Sequence, residues 1–250
     1  MDTTIIYYTE NLIPEPLFTQ IQKLLVKSAN GRPIVSVSHK PIDLGTNICI
    51  GVYKRSWLML YRQLLLGMKL AKTKYVAMAE HDCLYTNEHF SFKPPRDDTF
   101  YYNEYNRLVQ WTNKHPELKG MYSTYTDPRS KKRYALSQMI CNRELFVDSL
   151  NKRLDLIDKD RSVLRNIANA SEFGYSKLKR VQKWAKSGRA VYLKNMLEDL
   201  LEKENYGSFK TKVPNLDIRH DGNFTGAKRG KRRTFDEPYW GRFQDLIDNA

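Results

Sequence analysis

Residues 1–90 alternate short apolar runs with longer stretches of helical periodicity, and this alternation constrains the fold more than any other feature of the chain. Thr4-Ile5-Ile6-Tyr7-Tyr8 reads as a strand. Pro14 and Pro16 suit the opening turn of a helix, along which Leu17, Ile21, Leu24 and Leu25 recur at helical spacing. Asn30-Gly31-Arg32-Pro33 breaks that helix, and Ile34-Val35-Ser36-Val37-Ser38 reads as a second strand. After a Gly-containing loop, Ser56 is placed to cap a second helix, with Trp57, Leu60, Tyr61, Leu64, Leu65 and Met68 on its apolar face. Tyr75-Val76-Ala77-Met78-Ala79 follows as a third strand. The order β-α-β-α-β with short crossovers predicts an α/β fold: a Rossmann-type, mostly parallel sheet flanked by helices.

Beyond residue 90 the pattern is looser. Phe100-Tyr101-Tyr102-Asn103 reads as a strand, and Tyr105 to Trp111 as the start of a helix. Lys119 to Thr124 and Tyr134 to Cys141 read as two strands linked by the turn Asp127-Pro128-Arg129-Ser130. Glu144 to Asp158 is expected to be helical, as is 176–204 with a break at Ser187-Gly188. No repeat or linker is visible. The expectation is one domain in two parts, 1–90 and 91–250, the second carrying a basic helical elaboration.

The third strand ends in Glu80-His81-Asp82. In an extended chain, side chains alternate faces, which puts Glu80 and Asp82 on one side. Two carboxylates at a buried strand end are costly unless a cation meets them. A divalent metal with an anionic substrate fits, and an acidic strand end turning into solvent is the competing reading. In open parallel sheets ligands sit beyond the carboxyl ends of the strands. Thr9 to Asn11, Ser38 to Lys40 and Glu80 to Asp82 occupy those positions, and all three sets are polar.

Two nucleotide sites are excluded by their missing loops. No GxGxxG follows the first strand and no GxxxxGK[ST] occurs, which argues against a dinucleotide site and a P-loop. Cys49, Cys83 and Cys141 are odd in number and widely spaced, so they give neither a disulfide framework nor a CxxC knuckle. With no apolar run of membrane-spanning length and no secretory leader at Met1-Asp2-Thr3-Thr4, a reducing cytoplasmic setting is expected. The formal net charge of +14 favours an anionic partner.

A second constellation lies at Asp217-Ile218-Arg219-His220-Asp221-Gly222-Asn223-Phe224-Thr225-Gly226-Ala227-Lys228-Arg229. A short apolar strand delivers His220 into a Gly-rich loop that offers backbone N–H groups, Asn223, Thr225 and then two cations. This mixture suits a metal ligand followed by diphosphate contacts. Carboxylate with imidazole suits Mn²⁺ or Mg²⁺, and Mn²⁺ accepts nitrogen more readily.

With these residues the chain resembles the GT-A glycosyltransferases, and most closely the viral branch that glycosylates hydroxymethylated pyrimidines in DNA. The resemblance is carried by Val35-Ser36-Val37-Ser38-His39-Lys40-Pro41 with Gly45 and Asn47, and by Tyr61-Arg62-Gln63 with Gly67. It continues through Ala79-Glu80-His81-Asp82 with Tyr85 and His89-Phe90, and ends in Ile218-Arg219-His220 with Asn223 and Thr225. Here EHD stands where the family has DxD. The resemblance implies a donor nucleotide sugar, UDP-linked, and a divalent cation held by Asp82 and His220. Glu80 would contact the donor ribose or a metal-bound water. Tyr8, Thr9 and Asn11 would face the nucleobase, while Ser38, Lys40 and Gln63 line the nucleotide pocket. Asn223, Lys228 and Arg229 would meet the diphosphate. An inverting transfer also needs a base for the acceptor hydroxyl; Glu172 is the candidate, with Asp127 and Glu198-Asp199 as rivals. A retaining mechanism stays open.

For the acceptor, Lys177, Lys179, Arg180, Lys183, Lys186 and Arg189 crowd around Trp184, and five cations lie between Lys228 and Arg233. Phosphate backbones reward such clusters through counterion release. Nucleic acid suits these clusters, and the resemblance implies double-stranded DNA carrying hydroxymethylated bases as the acceptor, with Tyr101, Tyr102, Tyr105 and Trp111 as either a stacking surface or core. A glycan, lipid or protein acceptor at a cell surface is the first alternative. A non-catalytic basic nucleic-acid-binding protein is the second.

Overall fold

The computed structural model describes residues 2–113, 116–123, 134–159, 171–176, 195, 204–223, 234–235 and 237–248. The chain begins as expected, with β1 (Thr3–Thr9), α1 (Leu17–Ala29), β2 (Ile34–Ser38), β3 (Thr46–Cys49), α2 (Trp57–Leu70) and β4 (Tyr75–Glu80). Then come β5 (Cys83–Leu84), α3 (Asn87–Ser91), β6 (Thr99–Asn103), β7 (Asn106–Trp111), β8 (Tyr122–Ser123), β9 (Met139–Asn142) and α4 (Arg143–Lys159). The remainder is β10 (Ser171–Glu172), β11 (Tyr175–Ser176), β12 (Asn205–Phe209), β13 (Asn215–His220), β14 (Thr234–Phe235) and α5 (Phe243–Asp248).

A seven-stranded sheet has the order β12-β6-β9-β4-β1-β2-β3. Strands β4, β1, β2 and β3 are parallel, as the crossovers predict, and β9 pairs antiparallel with both β4 and β6. All seven residues of β1 are buried, because the sheet is covered on both faces. On one face, Ile5, Tyr7, Ala77 and Ala79 pack with Leu25 and Ala29 of α1. On the other, Ile6, Tyr8, Val76 and Met78 pack with Tyr61, Leu64 and Met68 of α2 and with Phe146, Leu150 and Ile157 of α4. Helix α2 starts where expected: the Ser56 hydroxyl accepts from Met59 N at 3.1 Å.

A second sheet, β14-β8-β7-β13-β5, packs through Val109, Leu216 and Ile218 on Leu17 and Ile21 of α1 and on Phe243 and Ile247 of α5. The chain passes from the first sheet to the second at His81-Asp82, between β4 and β5. That crossing sets the geometry of the site.

Several expectations are corrected. Residues 106–111 form strand β7 rather than a helix, because β13 supplies a parallel partner along the full segment, Asn106 opposite Asn215 through Trp111 opposite His220; such long-range pairing overrides local propensity. Strand β3 forms within the stretch expected as loop, paired with β2. Of the strand expected over Lys119–Thr124 only Tyr122–Ser123 pairs. Leu136–Gln138 is a 3₁₀ turn leading into β9. Strand β4 stops at Glu80 and Asp82 lies in a turn, so strand alternation is not what aligns the two carboxylates. Tyr101 and Tyr102 are core, at 7% and 0% exposure, which removes them as a stacking surface. The helix expected over 176–204 lies outside the described residues except at Ser176, which is in strand β11 and not helical, at Asn195 and at residue 204.

Candidate metal and nucleotide cleft

Asp82 is the centre of the site. Its backbone carbonyl accepts from Ile218 N at 2.7 Å, locking the β4–β5 turn onto β13. Two residues further along β13, His220 places Nε2 4.0 Å from Asp82 Oδ2. Two sets of candidate ligands share Asp82: His81, Asp82 and His220 form one, and Glu80, Asp82 and Cys83 the other, each with ligand atoms within 4.8 Å of one another. The fold thus joins Asp82 to His220 and Asp82 to Glu80, as the sequence suggested, by a turn between sheets. It also adds His81, whose ring meets that of His220 edge-on at 5.8 Å.

Each side chain is held by its neighbours. The Tyr8 hydroxyl donates to Glu80 Oε1 at 2.6 Å, and the Tyr85 hydroxyl accepts from Glu80 N at 3.0 Å. Asn223 bridges the two halves: its Nδ2 donates to Asp82 Oδ2 at 2.6 Å and its Oδ1 accepts from His220 N at 2.7 Å. His220 Nδ1 accepts from Gly222 N at 3.1 Å, so in the neutral ring the proton sits on Nε2. That Nε2 is buried without a hydrogen-bond partner. A Cβ on Gly222 would stand 3.1 Å from both His220 Cε1 and Leu12 O, a tight contact that glycine avoids where the turn approaches the ring. Asp221 pins the other end of the turn, accepting from Thr112 Oγ1 and from Asn113 N.

Burial shapes the charges. It raises the Asp82 carboxyl to about 6, with Asp217 adding to the rise and Arg219 and His220 opposing it. It lowers His81 and His220 to about 4 each, so both rings are neutral at physiological pH and carry a lone pair. Burial and then the Asp82 charge push the Cys83 thiol well up, leaving it protonated and a poor ligand for a hard cation. Carboxylates and imidazoles around a buried, partnerless ring nitrogen fit Mn²⁺ or Mg²⁺. Coordination through Nε2 requires the His220 proton to leave that atom. If the proton moves to Nδ1, the Gly222 N–H must turn away.

The cleft beside Asp82 is lined by Tyr8, Thr9, Gln63, Glu80 and Asn223, all anticipated. Gln63 Nε2 donates to Thr9 O at 3.3 Å, tying α2 to the end of β1. Glu10, Asp217 and Arg219, which lay in the segments singled out but were given no role of their own, also line it, as do Arg55 and Trp57, which sequence reasoning missed as site residues. Arg55 and Trp57 flank the N-cap Ser56, and Asp217 and Arg219 stand one strand turn before His220, so proximity to residues already singled out was the available signal. Arg55 Nε donates to Glu10 Oε2 and its Nη1 donates to Gly222 O at 2.9 Å. Arg219 Nη2 donates to Asp217 Oδ2 at 3.0 Å.

Other anticipated residues sit elsewhere. Asn11 Oδ1 accepts from the backbone of His39 and Lys40, at 3.0 and 2.9 Å, and with Lys40 it borders a separate groove along α1. Ser38 is fully buried and bonds Asn47. These three therefore brace the ends of β1 and β2 beside the cleft and do not line it. Glu172 pairs through its backbone with Tyr175 in the β10–β11 hairpin; its side chain is not among the described atoms. Lys228, Arg229, Thr225, Asp127, Glu198, Asp199 and the cations of 177–189 lie outside the described residues.

No family model and no curated protein sequence matches the chain. Among solved structures, it is similar to residues 1–349 of TarS from S. aureus at 13% identity and a TM-score of 0.42, covering 88% of this chain and 61% of that one. It is similar to a glycosyltransferase involved in glycosylation of the major capsid of PBCV-1 at 9% identity and 0.39, covering 87% and 92%. It is also similar to the bifunctional IspDF from Campylobacter jejuni at 10% identity and 0.40, covering 85% and 50%. The chain spans about half the length of the first solved chains it matches. With every one of these TM-scores below 0.5, the mixed α/β architecture rests on the element order and register described above. Among the described residues, no helix is long and apolar enough to cross a membrane.

Proposed function

We propose that the chain transfers a glycosyl group from a nucleoside diphosphate sugar, UDP-linked, to an acceptor hydroxyl with the aid of a divalent cation. The observation that carries this reading is the convergence of Asp82 and His220, from two different sheets, at the carboxyl end of β4. They meet in a cleft whose rim is the N-terminus of α2 with Arg55 beside it. Helix N-termini and arginine both suit phosphate oxygens. Asp82 and His220 would hold the cation, with His81 within reach and Glu80 positioned by Tyr8. When bound, the cation supplies Lewis-acid stabilisation of the departing diphosphate. Gln63 and Thr9 would border the nucleoside, and Arg55 and Asn223 the diphosphate, with Lys228 and Arg229 following in the same loop of the sequence.

The acceptor reading is a hydroxymethylated pyrimidine in double-stranded DNA. It is supported by the net charge of +14 and by the cation clusters at 177–189 and 228–233. Glu172 is the proposed base. Its neighbour Phe173 packs edge-on against Tyr61 of α2 at 6.1 Å, on the helix whose N-terminus borders the cleft.

The test is direct. The protein is incubated with UDP-sugars, Mn²⁺ and DNA containing hydroxymethylcytosine or hydroxymethyluracil, and the digested nucleosides are weighed. A mass gain of one sugar on the modified base is expected. Asp82→Ala and His220→Ala are each expected to abolish it, and full activity in either removes the metal assignment. Transfer to a glycan or lipid but not to DNA would replace the acceptor and keep the donor site.

A further inference from the structure

Arg55 lines the same cleft as the proposed cation site, and this inference rests on the donor-site reading. Its side chain is 24% exposed and paired with Glu10. Its Nη1 holds Gly222 O. Gly222 in turn donates to His220 Nδ1, and the adjoining Asn223 donates to Asp82 Oδ2. One guanidinium therefore secures the turn that engages both proposed ligands in the metal-free chain.

A bare divalent cation at Asp82 and His220 meets this guanidinium as repulsion. A cation carrying a diphosphate would meet it as attraction, because the phosphate charge outweighs that of the cation and its oxygens accept from the guanidinium. Arginine's planar fork suits phosphate oxygens in a way that a carbonyl such as Gly222 O, which accepts from only one of its N–H groups here, does not exploit.

We propose that Arg55 couples metal binding to nucleotide binding: held by Glu10 and Gly222 in the empty cleft, it opposes a lone divalent cation and, by moving its fork from Gly222 O to a nucleoside diphosphate, favours the cation and nucleotide together. By linkage the coupling is reciprocal, so one factor describes how UDP strengthens Mn²⁺ binding and how Mn²⁺ strengthens UDP binding. Glu10 sets the size of the effect by partly neutralising the guanidinium.

Calorimetric titrations of Mn²⁺ alone, UDP alone and Mn²⁺ in saturating UDP give the coupling factor without any turnover. For Arg55→Gln the factor is expected to fall at least about fivefold, with Mn²⁺ alone bound as tightly as in the parent chain or more tightly. For Glu10→Gln, which leaves the guanidinium without its carboxylate, Mn²⁺ alone should bind more weakly and the factor should rise. An unchanged factor in Arg55→Gln, or weaker binding of Mn²⁺ alone by that variant, overturns the coupling role while leaving the donor site standing. If Arg55→Gln does not fold, Glu10→Gln decides: an unchanged factor overturns the proposal. Failure of the parent chain to bind UDP with Mn²⁺ overturns the donor-site reading and this inference together.

Discussion

Replacing Asp82 by Asn is expected to stabilise the metal-free protein at neutral pH while removing its cation site. The carboxylate is 13% exposed and its folded pKa is raised from 3.8 to about 6, by burial first and by Asp217 next. A raised carboxyl contributes stability below its unfolded pKa, and that contribution is lost as pH rises through the folded value. The ionised form therefore costs the fold roughly 3 kcal/mol at pH 8, about half of that near pH 5 and close to nothing near pH 4. Asparagine is isosteric and stays neutral, and its Oδ1 can still accept from Asn223 Nδ2. The variant should thus be more stable than the parent in EDTA at pH 8 by up to about 3 kcal/mol, with the gain shrinking towards zero near pH 4. Mn²⁺ at about 1,000 times its dissociation constant reverses the order, because it adds about 4.1 kcal/mol to the parent and nothing to a chain that cannot bind it. Urea unfolding at three pH values, with EDTA and with Mn²⁺, measures all of this. A variant no more stable than the parent at pH 8 in EDTA would refute the account of Asp82 as a strained carboxylate held for a cation.

Three further outcomes are expected. Glu204→Gln should destabilise the fold by about 3–5 kcal/mol in urea, because Arg153, at 0% exposure, loses the carboxylate that its Nη1 and Nη2 both reach; a loss under about 1 kcal/mol would show that the pair is not the anchor of the β10–β11 hairpin. Gly45→Ala should cost about 2 kcal/mol or more, since Gly45 has φ +59 and an added Cβ would stand 2.2 Å from Ile34 O; an unchanged unfolding midpoint contradicts this. On acidification in EDTA, His81 and His220, lowered to about 4, and His89, lowered to about 3, stay neutral in the fold while the unfolded chain takes up protons below pH 6.5. Asp82 opposes with one proton, so the net loss between about pH 6 and 4 is on the order of 2 kcal/mol per pH unit, and a flat stability profile over that range counts against the burial of these rings.

Much of the fold was legible in the sequence. The apolar runs at 4–8, 34–38 and 75–79 became the central parallel strands, and Ser56 capped its helix, because these signals are local and agree with each other. Glu144–Asp158 became α4 for the same reason. The segment 106–111 was misread because Asn-Arg-Leu-Val-Gln-Trp carries no clear period, and its strand partner, β13, lies more than a hundred residues away. Asn11, Ser38 and Lys40 were placed correctly at strand ends, but strand ends also need bracing, and a carboxamide that caps two backbone N–H groups is indistinguishable in sequence from one that faces a ligand.

The sequence by itself determined the residue types of the site: an acidic pair after an apolar strand, and a histidine delivered into a loop that opens with Asp-Gly-Asn. Only the tertiary structure decided that they form one site. Asp82 meets His220 because the chain changes sheets between β4 and β5, and the Ile218 N–H to Asp82 carbonyl bond then fixes the register of the second sheet against the turn. That contact joins groups far apart in sequence, and its reward is burial and hydrogen bonding shared between two sheets, which no local pattern encodes. The roles of His81 and Arg55 follow from the same crossing, which brings the His220 ring against the one and the Gly222 carbonyl against the other.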